Sequence, residues 1–124
     1  MKPVKALLLI TIILIAHQFA FAQSLIVSPF DTTMFGRNVN TGNYMNTRGF
    51  NMYYEIYGKG EPLLMIHGNS GSMKSFMYQI PCFAENYKVI AVDSRAQGNS
   101  FDTGDSLSFE MMADDFSALL DNLH

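Results

Sequence analysis

Two short apolar runs constrain this chain more than any other feature. Leu63-Leu64-Met65-Ile66 and Lys88-Val89-Ile90-Ala91-Val92-Asp93 are continuous rather than alternating. A continuous apolar run bounded by turn signals is the pattern of a strand covered on both faces. Between the runs, Met73, Phe76, Met77 and Ile80 fall at i, i+3, i+4 and i+7, which is one face of a helix. Pro81 is expected to end or bend that helix. Strand, helix and strand of this size form a βαβ unit, expected to be parallel and right-handed. The predicted fold class is therefore α/β.

The flanks extend that unit. Residues 44–48 and 50–57, joined at Gly49, read as a tight hairpin whose second strand is aromatic-rich and packs on both faces. Gly58-Lys59-Gly60-Glu61-Pro62 is a turn cluster. The last element spans 109–123, with Ser108 as N-cap and Glu110 in the first turn, where the helix dipole favours a negative charge. Its apolar stripe is Phe109, Met112, Ala113, Phe116, Leu119, Leu120 and Leu123, expected to be core; Asp114, Asp115 and Asp121 are expected to face water. Residues 23–43 are rich in Ser, Thr, Asn and Gly and are expected to be a leader or linker, leaving 44–124 as the folded portion.

The N-terminus has its own logic. Lys2 and Lys5 precede an apolar stretch, and Ala20-Phe21-Ala22-Gln23 follows it. That is the layout of a secretory signal peptide over 1–22 with cleavage after Ala22, so the mature chain is expected to be periplasmic or secreted and free of the membrane. His17-Gln18 interrupt the run, which counts against a retained spanning helix. The only cysteine, Cys82, cannot form an internal disulfide and is expected to be a small buried apolar residue. A formal net charge of -3 supplies no basic stripe, so nucleic acid is not expected as a partner.

The chemistry centres on His67-Gly68-Asn69-Ser70-Gly71-Ser72, placed where the first buried strand ends. Ligands of open α/β sheets bind at the carboxyl ends of the strands. Gly68 and Gly71 would let the backbone turn and leave amides uncovered, and the following helix would add the positive end of its dipole. Such a loop could hold the oxyanion of an acyl-transfer intermediate or a phosphate, or it could be a plain structural turn. The phosphate reading is the weaker of the two ligand readings, because neither G-x-G-x-x-G nor a closing Gly-Lys-Ser/Thr is present. No cofactor and no metal is expected.

Asp93-Ser94-Arg95-Ala96-Gln97-Gly98-Asn99-Ser100 follows the second run. Together with His67-Gly68 upstream, it resembles the α/β-hydrolase superfamily, whose third strand ends in H-G-x and whose fourth ends in D-x-R-G-x-G-x-S. Tyr57-Gly58, Pro62 and the helix carrying Met112-Ala113-Asp114-Asp115 are similar to that family too. The resemblance covers 44–124. It implies that Asn69 supplies an oxyanion-hole backbone N–H, that His67 and Gly68 shape the loop, and that Asp93, Arg95 and Gly98 fix the turn. His67 does not match the family's catalytic histidine and is expected to be a hydrogen-bonded structural residue. Ala96 departs from the family's usual Gly, which implies a locally different loop.

The family's nucleophile elbow would follow the next strand. The mature histidines are His67 and His124 alone, so no Ser-His-Asp triad of family geometry can be assembled. The expected reading is the N-terminal portion of a hydrolase acting on ester or similar bonds of a small-molecule substrate, with nucleophile, acid and base outside this chain. The 63–66 strand would then lie at a bare sheet edge. The alternatives are a short exported non-catalytic module that binds a small anion or a protein, and a nucleotide-binding α/β domain.

Overall fold

The computed structural model describes residues 34–104 and 106–123. The expected signal peptide, residues 23–33 of the expected leader, and His124 lie outside the described residues.

Four strands form one sheet in the order β1-β2-β4-β3. β1 (Gly42–Thr47) and β2 (Phe50–Tyr57) are antiparallel, with Thr47 opposite Phe50 and Tyr44 opposite Tyr53. Arg48 and Gly49 close this hairpin with φ of 46° and 90°. Positive φ at both residues matches the twist of a two-residue hairpin turn. β4 (Tyr87–Val92) runs antiparallel to β2, with Tyr54 opposite Val92, and parallel to β3 (Glu61–Ile66), with Leu64 opposite Ile90. The expected hairpin and parallel pair are both present. Pro62 lies inside β3 rather than before it.

Alternation along β2 divides the core between the two faces of the sheet. Phe50, Met52 and Tyr54 join Ile90, Val92 and Leu119 in one buried cluster, with Met45, Leu64, Phe116 and Leu123 packed against it. Leu119, Phe116 and Leu123 come from a helix at Phe109–Leu123, which occupies the expected span. Ser108 caps it, its Oγ accepting the Met111 amide at 3.2 Å. Tyr53, Glu55 and Tyr57, the intervening residues of β2, are buried as well.

The expected single helix after β3 is divided in two. Met73–Phe76 is a 3-10 turn, and Gln79–Phe83 is a separate five-residue helix, α1, which makes Phe109–Leu123 α2. Pro81 explains the division: without an N–H it cannot bond the Met77 carbonyl, but in the first turn of a helix no intrahelical bond is required of it. Met73 and Ile80 are fully buried as the periodicity predicts, while Phe76 and Met77 are not. Cys82 is exposed, contrary to expectation, since α1 turns Ile80 and Pro81 inward and leaves Cys82 outside.

β3 is covered less than its apolar run suggests. Leu63 and Leu64 are half-buried and Ile66 is 47% exposed, because β3 is the last strand in the sheet order.

Residues 34–41, within the stretch expected as leader, are tied to the sheet. Phe35 is 1% exposed and meets Tyr57 edge-on at 5.1 Å between ring centroids. The Gly36 and Asn38 amides donate to the buried Glu55 carboxylate at 3.0 and 2.8 Å, and the Tyr53 and Tyr57 hydroxyls donate to it at 2.6 and 2.7 Å. Burial first, and then the bond to Glu55, hold the Tyr53 hydroxyl far above the ordinary tyrosine range. Burial and Glu55 likewise push Tyr57 up to about 12, against hydrogen bonds from Thr41 and Asn38 that lower it.

A raised folded-state value means that the native chain holds the phenol proton more tightly than the unfolded chain does. Stability from this cluster is therefore present in full below pH ~10, the unfolded tyrosine value. It is lost as pH rises toward about 12. Urea melts between pH 8 and 12 should show that loss, and Tyr57→Phe should remove part of it.

Candidate active site

The ends of β3 and β4 bring the two sequence motifs side by side. His67 follows β3 and is buried, and its environment fixes its hydrogen-bonding state. The Ser94 amide donates to Nε2 at 3.0 Å, so Nε2 is the acceptor and the ring proton sits on Nδ1. Nδ1–H donates to the Gly68 carbonyl at 2.8 Å. Nε2 lies 4.0 Å from Asp93 Oδ1, beyond hydrogen-bond reach. His67 thus stitches the β3 loop to the β4 loop. The expectation of a hydrogen-bonded structural histidine matches this geometry.

Gly68 and Gly71 contribute differently from one another. The Gly71 amide donates to the Gly68 carbonyl at 3.1 Å, closing the turn around Asn69 and Ser70. A Cβ at Gly71 would stand 2.9 Å from that carbonyl and 3.2 Å from His67 Nδ1, so a larger residue there would push the turn open. A Cβ at Gly68 would meet nothing within 4 Å, and the left-handed residue of the loop is Ser70, with φ of 61°. The sharp turn expected of Gly68 is therefore made two residues later. The helix dipole expected behind the loop is also missing, because Ser72 leads into the four-residue 3-10 turn rather than into a long helix. The first amide of that turn, Met73 N–H, instead donates to Asp93 Oδ1 at 2.8 Å.

Asp93 and Arg95 carry the second motif. Asp93 is fully buried, and its Oδ2 accepts from the Asn99 backbone at 2.8 Å and the Asn99 side chain at 3.2 Å. The Asn99 side chain also donates to the Gly36 carbonyl at 2.5 Å. Gly98 has φ of 57°, and a Cβ there would overlap the Asp93 carboxylate, so only glycine lets the turn close over it. Ser100 Oγ accepts the Tyr53 amide at 2.8 Å and donates to the Asp93 carbonyl at 2.6 Å.

Arg95 is 4% exposed. It grips Asp115 through Nε at 2.7 Å and through a second nitrogen at 2.8 Å, reaches Asp102 at 2.9 Å, and stacks 4.1 Å over the Phe50 ring. The Asp115 bond dominates in raising the Arg95 value further above its ordinary range, and the Arg95 bond in turn lowers Asp102. Asp115 does not face water as its residue type suggests: it is 0% exposed and pins α2 to the β4 loop, while Asp114 beside it is exposed.

Ala96 corrects another expectation. Its φ is 60°, so it keeps the left-handed conformation that Gly would adopt. That conformation costs an alanine roughly 1–2 kcal/mol, against roughly 0.5–1 kcal/mol of extra unfolded-state freedom for Gly. Ala96→Gly should therefore stabilise the chain by about 0.5–1 kcal/mol, read as a shift of the urea midpoint.

A cavity of about 350 Å³ opens in front of the loop, with Ile66, Asn69, Gln97, Phe109, Met112 and Phe116 among its walls. A second, of about 200 Å³, shares Asn69, Phe109 and Met112 and extends to Leu107. Asn69 is exposed at the tip of the loop, and among the described residues none accepts a hydrogen bond from it. Phe109, expected in the core, is 81% exposed and rims both cavities. Among the described residues, no group of three or more His, Cys, Asp or Glu side chains is placed to hold a metal ion. The Ser94 amide contact to His67, the Asp115 pair with Arg95 and the buried Glu55 carboxylate are not announced by residue type. An acid between two tyrosines at i±2 on an apolar strand was the one available signal for Glu55.

Known proteins resemble this chain in sequence and in fold. A soluble epoxide hydrolase from Corynebacterium sp. is 35% identical over 75 residues, 60% of this chain and 26% of that protein. A non-heme chloroperoxidase from Kitasatospora aureofaciens is 32% identical over 76 residues, 60% of this chain and 28% of that protein. The chain thus spans about a quarter of the length of the curated relatives it matches. The crystal structure of an alpha/beta hydrolase fold protein from Burkholderia ambifaria superposes with a TM-score of 0.61 at 29% identity, over 65% of this chain and 30% of that one. The sequence model of the alpha/beta hydrolase fold family matches residues 61–124. That match covers just over half of the chain, and the superposition agrees with it: the chain belongs to the α/β-hydrolase fold family.

Proposed function

We propose that this chain carries the oxyanion half of a hydrolase that attacks an ester or similar bond, with nucleophile, acid and base contributed by residues beyond it. One observation carries the reading: Asn69 stands open at the C-terminal end of β3, on a loop braced from behind by His67 and Asp93 and facing an apolar cavity. An amide held in that way needs no reorganisation when negative charge develops on a bound carbonyl oxygen. His67 and Gly68 shape the loop, the former through both ring nitrogens and the latter through its doubly accepting carbonyl. The relatives differ in chemistry, one being an epoxide hydrolase and another a chloroperoxidase, so the bond attacked depends on groups outside the loop.

The exposed β3 edge supports a further strand beside Ile66. Sequencing the transcript past the codon for His124 tests this. The proposal expects an apolar strand leading into G-x-S-x-G or a close variant and then a later histidine; a stop codon directly after His124 would leave the loop without a nucleophile and favour a non-catalytic binding module. We also infer that residues 1–22 are a cleaved export signal, so that mature protein should begin at Gln23 on N-terminal sequencing; an intact Met1 on secreted protein would contradict it.

A further inference from the structure

We propose that residues 34–38 are a latch that regulates the loop following β3: docked on Glu55, they hold the Met73 end of that loop in place through Gly36 and Asn99. The meaning of the latch for catalysis rests on the oxyanion reading of Asn69; the coupling itself does not. Gly36 joins the two ends of the connection. Its amide donates to Glu55 Oε2 at 3.0 Å. Its carbonyl accepts the Asn99 side chain at 2.5 Å. The same Asn99 nitrogen donates to Asp93 Oδ2 at 3.2 Å, and the other oxygen of that carboxylate accepts the Met73 amide at 2.8 Å. The path from Gly36 to the first amide of the 3-10 turn is therefore continuous.

A second contact runs beside that path. Gly36 has φ of 78°, and a Cβ there would stand 3.1 Å from Lys74 Cε, 3.2 Å from Lys74 Cγ and 3.6 Å from Met73 Cγ. The strap backbone thus lies on the side chains of the turn itself, in a conformation that glycine adopts readily. Asn99 is exposed, so water could satisfy its amide; it instead bridges two segments 63 residues apart. The anchor of the strap lies elsewhere. Among the described residues, the Glu55 carboxylate takes its donors from Gly36, Asn38, Tyr53 and Tyr57, and none from the loop. Coupling of this kind is reciprocal, so loosening the strap loosens the loop and the converse holds too.

The test is amide hydrogen exchange on the 124-residue chain. In Asn99→Ala, the Gly36 and Met73 amides should both exchange about tenfold faster, since each is held on a carboxylate whose setting the bridge fixes. The Ile90 amide, in the core of the sheet, should change by less than about twofold, because it reports opening of the whole fold. Glu55→Gln leaves one acceptor oxygen where there were two and should speed Met73 exchange as well, although it lies outside the loop. Added to Asn99→Ala, it should accelerate Met73 by less than about twofold more, since the bridge is already gone. Unchanged Met73 exchange in Asn99→Ala would overturn the latch, as would Ile90 rising as much as Met73 or full additivity in the double variant. Asn99 is exposed, so its variant decides the matter even if Glu55→Gln does not fold. A stop codon directly after His124 would remove the oxyanion reading and leave these exchange rates, and the latch, untouched.

Discussion

Replacing Asp115 by Ala is expected to destabilise the chain by about 3 kcal/mol, because it leaves a buried guanidinium with Asp102 as its one remaining carboxylate partner among the described residues. Arg95 is 4% exposed and its two bonds to Asp115 measure 2.7 and 2.8 Å, so water has little access to replace the lost carboxylate. Arg48 adds a second cation at 3.2 Å from Asp115, which raises the cost of removing the acid. Asp114 is the internal control. It meets Arg48 at 3.3 Å, but its side chain is 62% exposed, and its replacement by Ala should cost no more than about 0.5 kcal/mol. Urea denaturation of the two variants separates these values; equal losses would mean that the Arg95 pair contributes nothing beyond a surface contact.

Asp93→Ala should cost about 3–5 kcal/mol and also move the loop that follows β3. The change removes the acceptor for three donors, the Met73 amide, the Asn99 amide and the Asn99 side chain. Each buried donor left unsatisfied costs roughly 1–3 kcal/mol, less where water can reach it, as at exposed Asn99. The loss differs from that of Asp115 in its reach. Met73 starts the 3-10 turn after Ser72, so freeing its amide should shift the amide resonances of residues 67–73, while Asp115→Ala should leave them in place. Asp93→Asn keeps acceptor capacity on one oxygen only and should fall between wild type and Asp93→Ala. Unmoved loop resonances in Asp93→Ala would show that His67 alone holds the loop.

The elements that could be read in the sequence are those whose patterns are local. β4 shows as an uninterrupted apolar run, and α2 as a stripe with a capping Ser108 before it. The hairpin shows as two strands around Gly49. The features that could not be read depended on partners distant in sequence. Asp115 lies three residues after Met112 and four before Leu119, flanking the buried stripe. Residue type suggested water, whereas Arg95 twenty residues away supplies its partner. Phe109 matches the stripe, yet as the first residue of α2 it stays 81% exposed.

Periodicity joined the 3-10 turn and α1 into one helix because it takes no account of a missing N–H at Pro81. Ala96 was expected to reshape its loop, yet the fixed contacts of Asp93 and Gly98 around it hold the left-handed conformation regardless. The site was legible to the level of its loop, since His67-Gly68-Asn69 could be placed at a strand end. The bracing by Ser94 and Asp93 was not, since backbone amides leave no trace in residue type.

The central claim is that this chain positions an oxyanion donor without holding the nucleophile that would use it. The most direct test is hydrolysis of p-nitrophenyl butyrate by the purified chain across a range of substrate concentrations. The account predicts no saturable turnover above buffer. Saturable turnover that disappears when Ser70, Ser72 or Ser94 is replaced by Ala would place a nucleophile within this chain and contradict it.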